Sequence, residues 1–136
     1  MSENVSEESV DLRIQRSRKY LIEALLTLMQ DQPLQKISVR DITDEAMVNR
    51  STFYAHFTDK YDLFKTAIGQ RMRHDLATGL GDSTGFTKTN LRTLILISGN
   101  LMMKISEDCQ PTSMDELIPL IMTEMQDSIH ELVFTW

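Results

Sequence analysis

The chain has 136 residues, 41% hydrophobic and 25% charged, with five Gly, three Pro and a single Cys, the composition of an ordinary globular protein with few breaks between helices. Cys109 alone excludes an intrachain disulfide and a cysteine-based metal site, and no apolar run approaches the roughly 20 residues that cross a bilayer. The net charge of −6 divides unevenly: residues 1–12 carry four acids and no base, residues 13–73 carry +4 and residues 74–136 carry −6, a basic half fit for a polyanion joined to an acidic one.

The opening MSENVSEESVD is acidic and polar where a secretory signal is basic and then apolar, so residues 1–11 are expected as a disordered acidic N-terminus and the compartment as cytoplasmic. From about Leu12 to Gln30, Ile14, Leu21, Ala24, Leu25 and Leu28 recur at helical spacing behind a basic start of Arg13, Arg16, Arg18 and Lys19. Asp31-Gln32-Pro33 closes that helix, because proline disfavours a helical residue before it.

Ile37-Ser38-Val39-Arg40-Asp41-Ile42 then combines a Ser N-cap, Asp41 returning the capping-box bond and an Ile37–Ile42 staple. The signal repeats at once, with Asn49 as N-cap between Val48 and Phe53. Two short helices with small Ala46 near their crossing and Ile42, Val48, Phe53 and Phe57 facing inward are the pattern of a helix-turn-helix, which must borrow the first helix for its core.

Thr58 or Asp59 can cap a fourth helix running through Leu63, Phe64, Ala67, Ile68 and Met72 to about Thr78, and Gly79–Gly85 is the clearest linker. Leu91–Ile105 is apolar on more than one face, as in a helix buried among neighbours. Pro111 marks a break, and Ser113-Met114-Asp115-Glu116 is a capping box for a last helix carrying Leu117, Ile118, Ile121, Met122, Met125, Ile129, Leu132 and Val133. Cys109 reads as a small, semi-buried hydrophobe.

The stretch SVRDITDEAMVNRSTFYAHFTDKYDLF resembles the TetR family of transcriptional regulators: a hydroxyl opens the first helix, Val sits in the turn, aromatic-Tyr-x-His-Phe ends the second, and Lys and Leu open the next. The resemblance covers about residues 12–70 and departs at Met47, which stands where the family's turn holds glycine. A left-handed backbone there costs a non-glycine residue on the order of 1–2 kcal/mol.

The resemblance implies an all-α protein: a three-helix helix-turn-helix DNA-binding domain over 12–57, then over 58–136 a linker helix and an effector-binding and dimerising bundle that is shorter than usual and looks truncated. It implies double-stranded operator DNA as partner, a homodimer, a small-molecule effector that releases a repressor, and no cofactor, metal or membrane.

A recognition helix must project short polar and bidentate side chains from its first turn into the major groove. Arg50 can take guanine O6 and N7 with two bonds and the Thr52 methyl can meet a thymine methyl, so Arg50, Ser51 and Thr52 are the expected base readers, and Arg40, which the resemblance places near the start of the supporting helix, joins them at a base or at a nearby phosphate. Ser38, Asn49, Tyr54, His56 and Lys60 are the expected phosphate-positioning set. For His56 half-buried packing weighs nearly as much as a phosphate contact, Ser38 and Asn49 are also plain caps, and Tyr54 can both pack and donate. In the second half, Met102, Met103, Met122 and Met125, with Met114, Phe86 and Trp136 nearby, are either an adaptable effector pocket or the filling of an irregular core or former interface. His130 has no catalytic partner in the sequence and no enzyme is expected. The rival expectation is a helical sensor or interaction protein that acts through a protein partner without binding DNA.

Overall fold

The computed structural model describes residues 2–108 and 114–136, with side chains from Ser9 onward. Among these residues there are helices and turns and no strand, as an all-α fold requires. Cys109, Pro111 and Ser113, which carry the expectations of a semi-buried thiol, a break and a last-helix cap, lie outside the described residues. The chain divides into two compact units, residues 1–64 and 65–136.

In the first unit α1 spans Ser2–Met29. The segment expected as a disordered tail is thus helical from Ser2; residues 1–30 hold neither Gly nor Pro, so no backbone break stops the helix from running outward beyond its apolar stripe. The buried stripe itself starts later than the periodicity suggests. Leu21, Ala24, Leu25 and Met29 are buried whereas Ile14 is 39% exposed, because the partner helices, α2 (Val39–Ala46) and α3 (Arg50–His56), have only eight and seven residues and cover only a few turns at about 1.5 Å per residue.

Pro33, extended at φ −68° and ψ 152°, leads into a short 3-10 turn, Leu34–Lys36. Leu34 and Ile37 enter the core with Ile42, Phe53, Phe57, Leu63 and Phe64, each large side chain contributing roughly 1.5–3 kcal/mol by leaving water.

The N-cap of α2 is the reciprocal box expected: the Asp41 backbone N–H donates to Ser38 Oγ at 3.0 Å, and the Ser38 N–H donates to Asp41 Oδ2 at 2.9 Å. The Ser38 backbone N–H first, and the Ser38 hydroxyl second, hold the Asp41 carboxyl below its usual range, with the neighbouring Arg40 charge a lesser cause. Ile37 and Ile42, the staple across that cap, are both fully buried.

In the second unit, the part of α4 (Lys60–Leu80) from Lys65 onward is joined by α5 (Lys88–Asp108) and α6 (Met114–Val133). Its core is a set of stripes: Ala67, Ile68, Met72 and Leu76 from α4, Leu94, Leu101 and Ile105 from α5, Leu117, Ile121 and Met125 from α6. Gly69 leaves room for the Glu124 carboxylate of α6 and Gly79 for the Ile97 side chain of α5.

The expected linker is shorter by two residues, since α4 includes Gly79 and Leu80 and ends at Gly81, whose φ of +57° is the left-handed cap that glycine adopts without a Cβ clash. Buried Asn90 ties the loop back, accepting from Ser83 Oγ at 2.9 Å and donating to the Gly85 carbonyl at 3.0 Å. The expectation that α5 is buried all round fails: Ile95 is 70%, Leu96 54% and Met103 63% exposed. Its apolarity on several faces exceeds what two neighbouring helices cover. No helix among the described residues is long and apolar enough to cross a membrane.

Candidate nucleic-acid interface

The turn between α2 and α3 sets the aim of α3. Met47 is left-handed (φ 59°, ψ 42°); its N–H donates to the Asp44 carbonyl at 3.3 Å, and the Val48 N–H reaches back to the Thr43 carbonyl at 3.0 Å. This pair of bonds is a Schellman close, adopted although the position carries a side chain. That side chain is 91% exposed, so the cost is in the backbone alone, on the order of 1–2 kcal/mol.

Phe53 and Phe57 anchor α3 from below, with ring centroids 5.8 Å apart. Tyr54 sets its ring edge-on to Phe53 at 5.2 Å yet stays 52% exposed, so the ring packs while the side chain remains open to solvent. With the inward face taken, Arg50, Ser51 and Tyr54 are left exposed and Thr52 and His56 half-exposed. Arg50 joins no ion pair among the described residues. Arg40 does, with Asp44 at 3.8 Å, but both side chains are largely exposed, and such a pair is worth only about 0.3–0.5 kcal/mol; the guanidinium stays available.

Asn49 is the N-cap residue of α3 by backbone, but its side chain makes no cap bond. Its amide is free to donate outward. Ser38 Oγ accepts from the Asp41 N–H, and its hydroxyl also faces the Asp41 carboxylate, so its first role is that of a cap.

Lys60 is placed differently from the other positioning candidates. Its ammonium donates to the carbonyls of Leu34 at 2.8 Å, Gln35 at 3.2 Å and Ile37 at 2.9 Å. An ammonium has three donors and all three are taken, so Lys60 holds the α1–α2 connection and has none left for a phosphate.

His56 is half-buried beside Phe57. Burial first, and the Arg18 charge second, hold its imidazole below the ordinary 6.5, which keeps it neutral near pH 7 with one N–H to donate. Arg18 itself lies over the Phe57 ring, 4.9 Å from its centre.

Reading the sequence as two separate helices misses α1's share of this surface. Arg13 and Ser17 line one shallow cleft with Ser51, Thr52 and His56, and Arg13 and Arg16 line an adjoining one of about 680 Å³ with Met47 and Val48. The signal was the basic run from Arg13 to Lys19; what periodicity could not supply was that the middle of α1 lies beside α3. The four methionines of the expected pocket do not assemble. Met122 and Met125 share an apolar groove along α6 with Ile129 and Val133, while Met102 and Met103 lie outside it.

Residues 21–67 match the family model described as bacterial regulatory proteins, tetR family. They form a tetR-family helix-turn-helix domain. The match includes every candidate from Ser38 to Lys60 and stops short of Arg13 and Arg16. A curated relative, the uncharacterized HTH-type transcriptional regulator YxbF of Bacillus subtilis (strain 168), is 36% identical over 67 residues, 48% of this chain and 18% of the relative. The chain therefore spans under one fifth of that relative's length.

Proposed function

We propose that the protein is a sequence-specific DNA-binding transcriptional regulator that lays α3 in the major groove. The observation that carries this reading is the row of exposed polar side chains on α3, Arg50, Ser51 and Tyr54, held rigid by buried Phe53 and Phe57 within the tetR-family segment. Arg50 and Arg40 read bases, assisted by Ser51 and Thr52, while Ser38, Asn49, Tyr54 and His56 hold phosphates from one side and Arg13 and Arg16 from the other. Lys60 serves from behind as the fastener of the domain.

On this reading the working form is a homodimer on a palindromic operator, with recognition helices roughly 34–36 Å apart. The exposed apolar side chains of α5 and α6, Ile95, Leu96, Met103 and Met122, support association of the second unit. A small-molecule effector bound there lowers operator affinity, and by linkage the operator weakens effector binding by the same factor; the family likeness supports a repressor released in this way.

The test is selection of duplexes from a random library, with Arg50→Ala in parallel. A palindromic consensus is expected, with the substitution weakening it by about 5- to 150-fold, the loss of a bidentate guanine contact worth roughly 1–3 kcal/mol. A single half-site keeps the reader and removes the dimer. No enrichment at low salt removes DNA binding and favours a partner-binding helical protein, the second reading, which the acidic 74–136 region of net −6 motivates.

A further inference from the structure

The second unit holds a cleft of about 300 Å³ between one face of α4 and one face of α6, at the small end of the range for organic ligands. Arg73, Leu76 and Leu80 contribute from α4 and Ser128, Leu132 and Trp136 from α6 and the residues just after it, both sets at the spacing that brings side chains to one side of a helix.

Ser128 is the unusual member. It is 3% exposed and its hydroxyl has no hydrogen-bond partner among the described residues. A helical hydroxyl ordinarily returns to the carbonyl four residues back, and Thr27, Thr93, Ser98 and Thr123 of this chain all do so at 2.8–3.0 Å. Ser128 forgoes that bond. A buried hydroxyl without a partner destabilises the fold, and none of the polar side chains that share the cleft is bonded to it: Ser83 donates to Asn90 and Thr135 to the Leu132 carbonyl.

The rest of the lining defines what would. Leu76, Leu80 and Leu132 make apolar walls, the Trp136 indole offers a flat edge supported by Phe86 at 5.3 Å, and Arg73 and Glu131 cancel in charge. We propose that this cleft binds a small, uncharged aromatic molecule carrying one hydroxyl or carbonyl oxygen, which hydrogen-bonds the Ser128 hydroxyl while its ring lies against Trp136 and the leucines. The site stands without the regulatory reading; only its coupling to DNA rests on that reading.

Trp136 is the sole tryptophan of the chain, so its fluorescence reports the cleft directly. Titration with benzyl alcohol is expected to give a saturable change, and toluene, which fills the same space without the oxygen, to bind about three- to tenfold more weakly, the value of one neutral hydrogen bond. Ser128→Ala should weaken benzyl alcohol to the level of toluene, leave toluene unchanged, and keep or raise the melting temperature of the free protein. Ala77→Phe, which fills the cleft from α4, should abolish the signal for both.

No saturable change with benzyl alcohol, equal loss of both probes in Ser128→Ala, or a lower melting temperature of that variant overturns the proposal, as does tighter binding of benzoate or benzylamine than of benzyl alcohol. Saturable binding with no change in duplex affinity upholds the site and removes only its effector role, whereas a probe that alters duplex affinity without touching Trp136 overturns the site and leaves the regulatory reading intact.

Discussion

The two units bury their hydrophobic side chains very differently. Of the eleven largest fully buried side chains among the described residues, eight (Leu21, Leu25, Leu34, Ile37, Ile42, Phe53, Leu63 and Phe64) belong to residues 1–64 and three (Met72, Leu117 and Ile121) to residues 65–136, although the second unit is the longer. The first closes a core from short helices fixed by caps and staples. The second spreads long helices over narrow buried stripes and leaves Ile95, Leu96, Met103 and Phe134 at 54–79% exposure. A unit that reads DNA needs its geometry fixed before it meets the groove, whereas a unit that associates or takes up a ligand keeps apolar surface to spend on the encounter.

The sharpest test of that contrast pairs one substitution in each unit. Phe53→Ala removes a fully buried ring and is expected to cost about 3–5 kcal/mol, measured by denaturant unfolding, with loss of duplex binding. Ile95→Ser, at 70% exposure, should change monomer stability by less than about 0.5 kcal/mol and show itself only as a shift in association by sedimentation. Comparable stability losses in both variants would break the contrast.

Lys60→Met comes next. It strips three carbonyls of their donor and should destabilise the first unit by roughly 1–3 kcal/mol. The slope of log affinity for duplex against log salt should hold steady; a fall of about 1 would mean that Lys60 meets a phosphate after all.

Met47→Gly works in the opposite direction. Relief of left-handed backbone strain, set against the greater freedom of glycine in the unfolded chain, should stabilise by about 1 kcal/mol, read from thermal melts.

The smallest effect is the pH response of His56. Its folded value lies below the ordinary 6.5, so the unfolded chain takes up the proton first. The stability it contributes is therefore present at neutral pH and above and declines as pH falls from about 6.5 through the folded value. NMR titration of the imidazole gives that value, and His56→Gln should flatten this part of the stability profile. Added duplex raises the value if a phosphate lies beside the ring and leaves it unchanged if the ring only packs.

What could be read in advance depended on how far apart the interacting residues lie in the chain. The Ser38–Asp41 box and the Ile37–Ile42 staple are written within six residues of one another, and each takes the form its residue types demand, while Met47 turns left-handed where the turn requires it and against its residue type. The pairing of Lys60 with the carbonyls of Leu34, Gln35 and Ile37 spans 23 to 26 residues, and no local pattern distinguishes a lysine that fastens a loop from one that reaches for a phosphate. The same limit hid the placement of Arg13 beside α3 and of Arg16 beside the turn that precedes it. In the second unit, apolar periodicity reported which faces of α5 avoid charge but not which are covered, and the methionines are set by their helix faces on different surfaces. Ser128 carried no sequence signal, since what marks it is a bond it does not make.

The Lys60 ammonium also governs how the first unit comes apart. Because it closes a ring from the first turn of α4 to the 3-10 turn at Leu34–Lys36, fraying at either place costs the other its bonds. The openings of the two segments are thereby expected to be coupled, so that their amide protons exchange more nearly in step than two independent turns would.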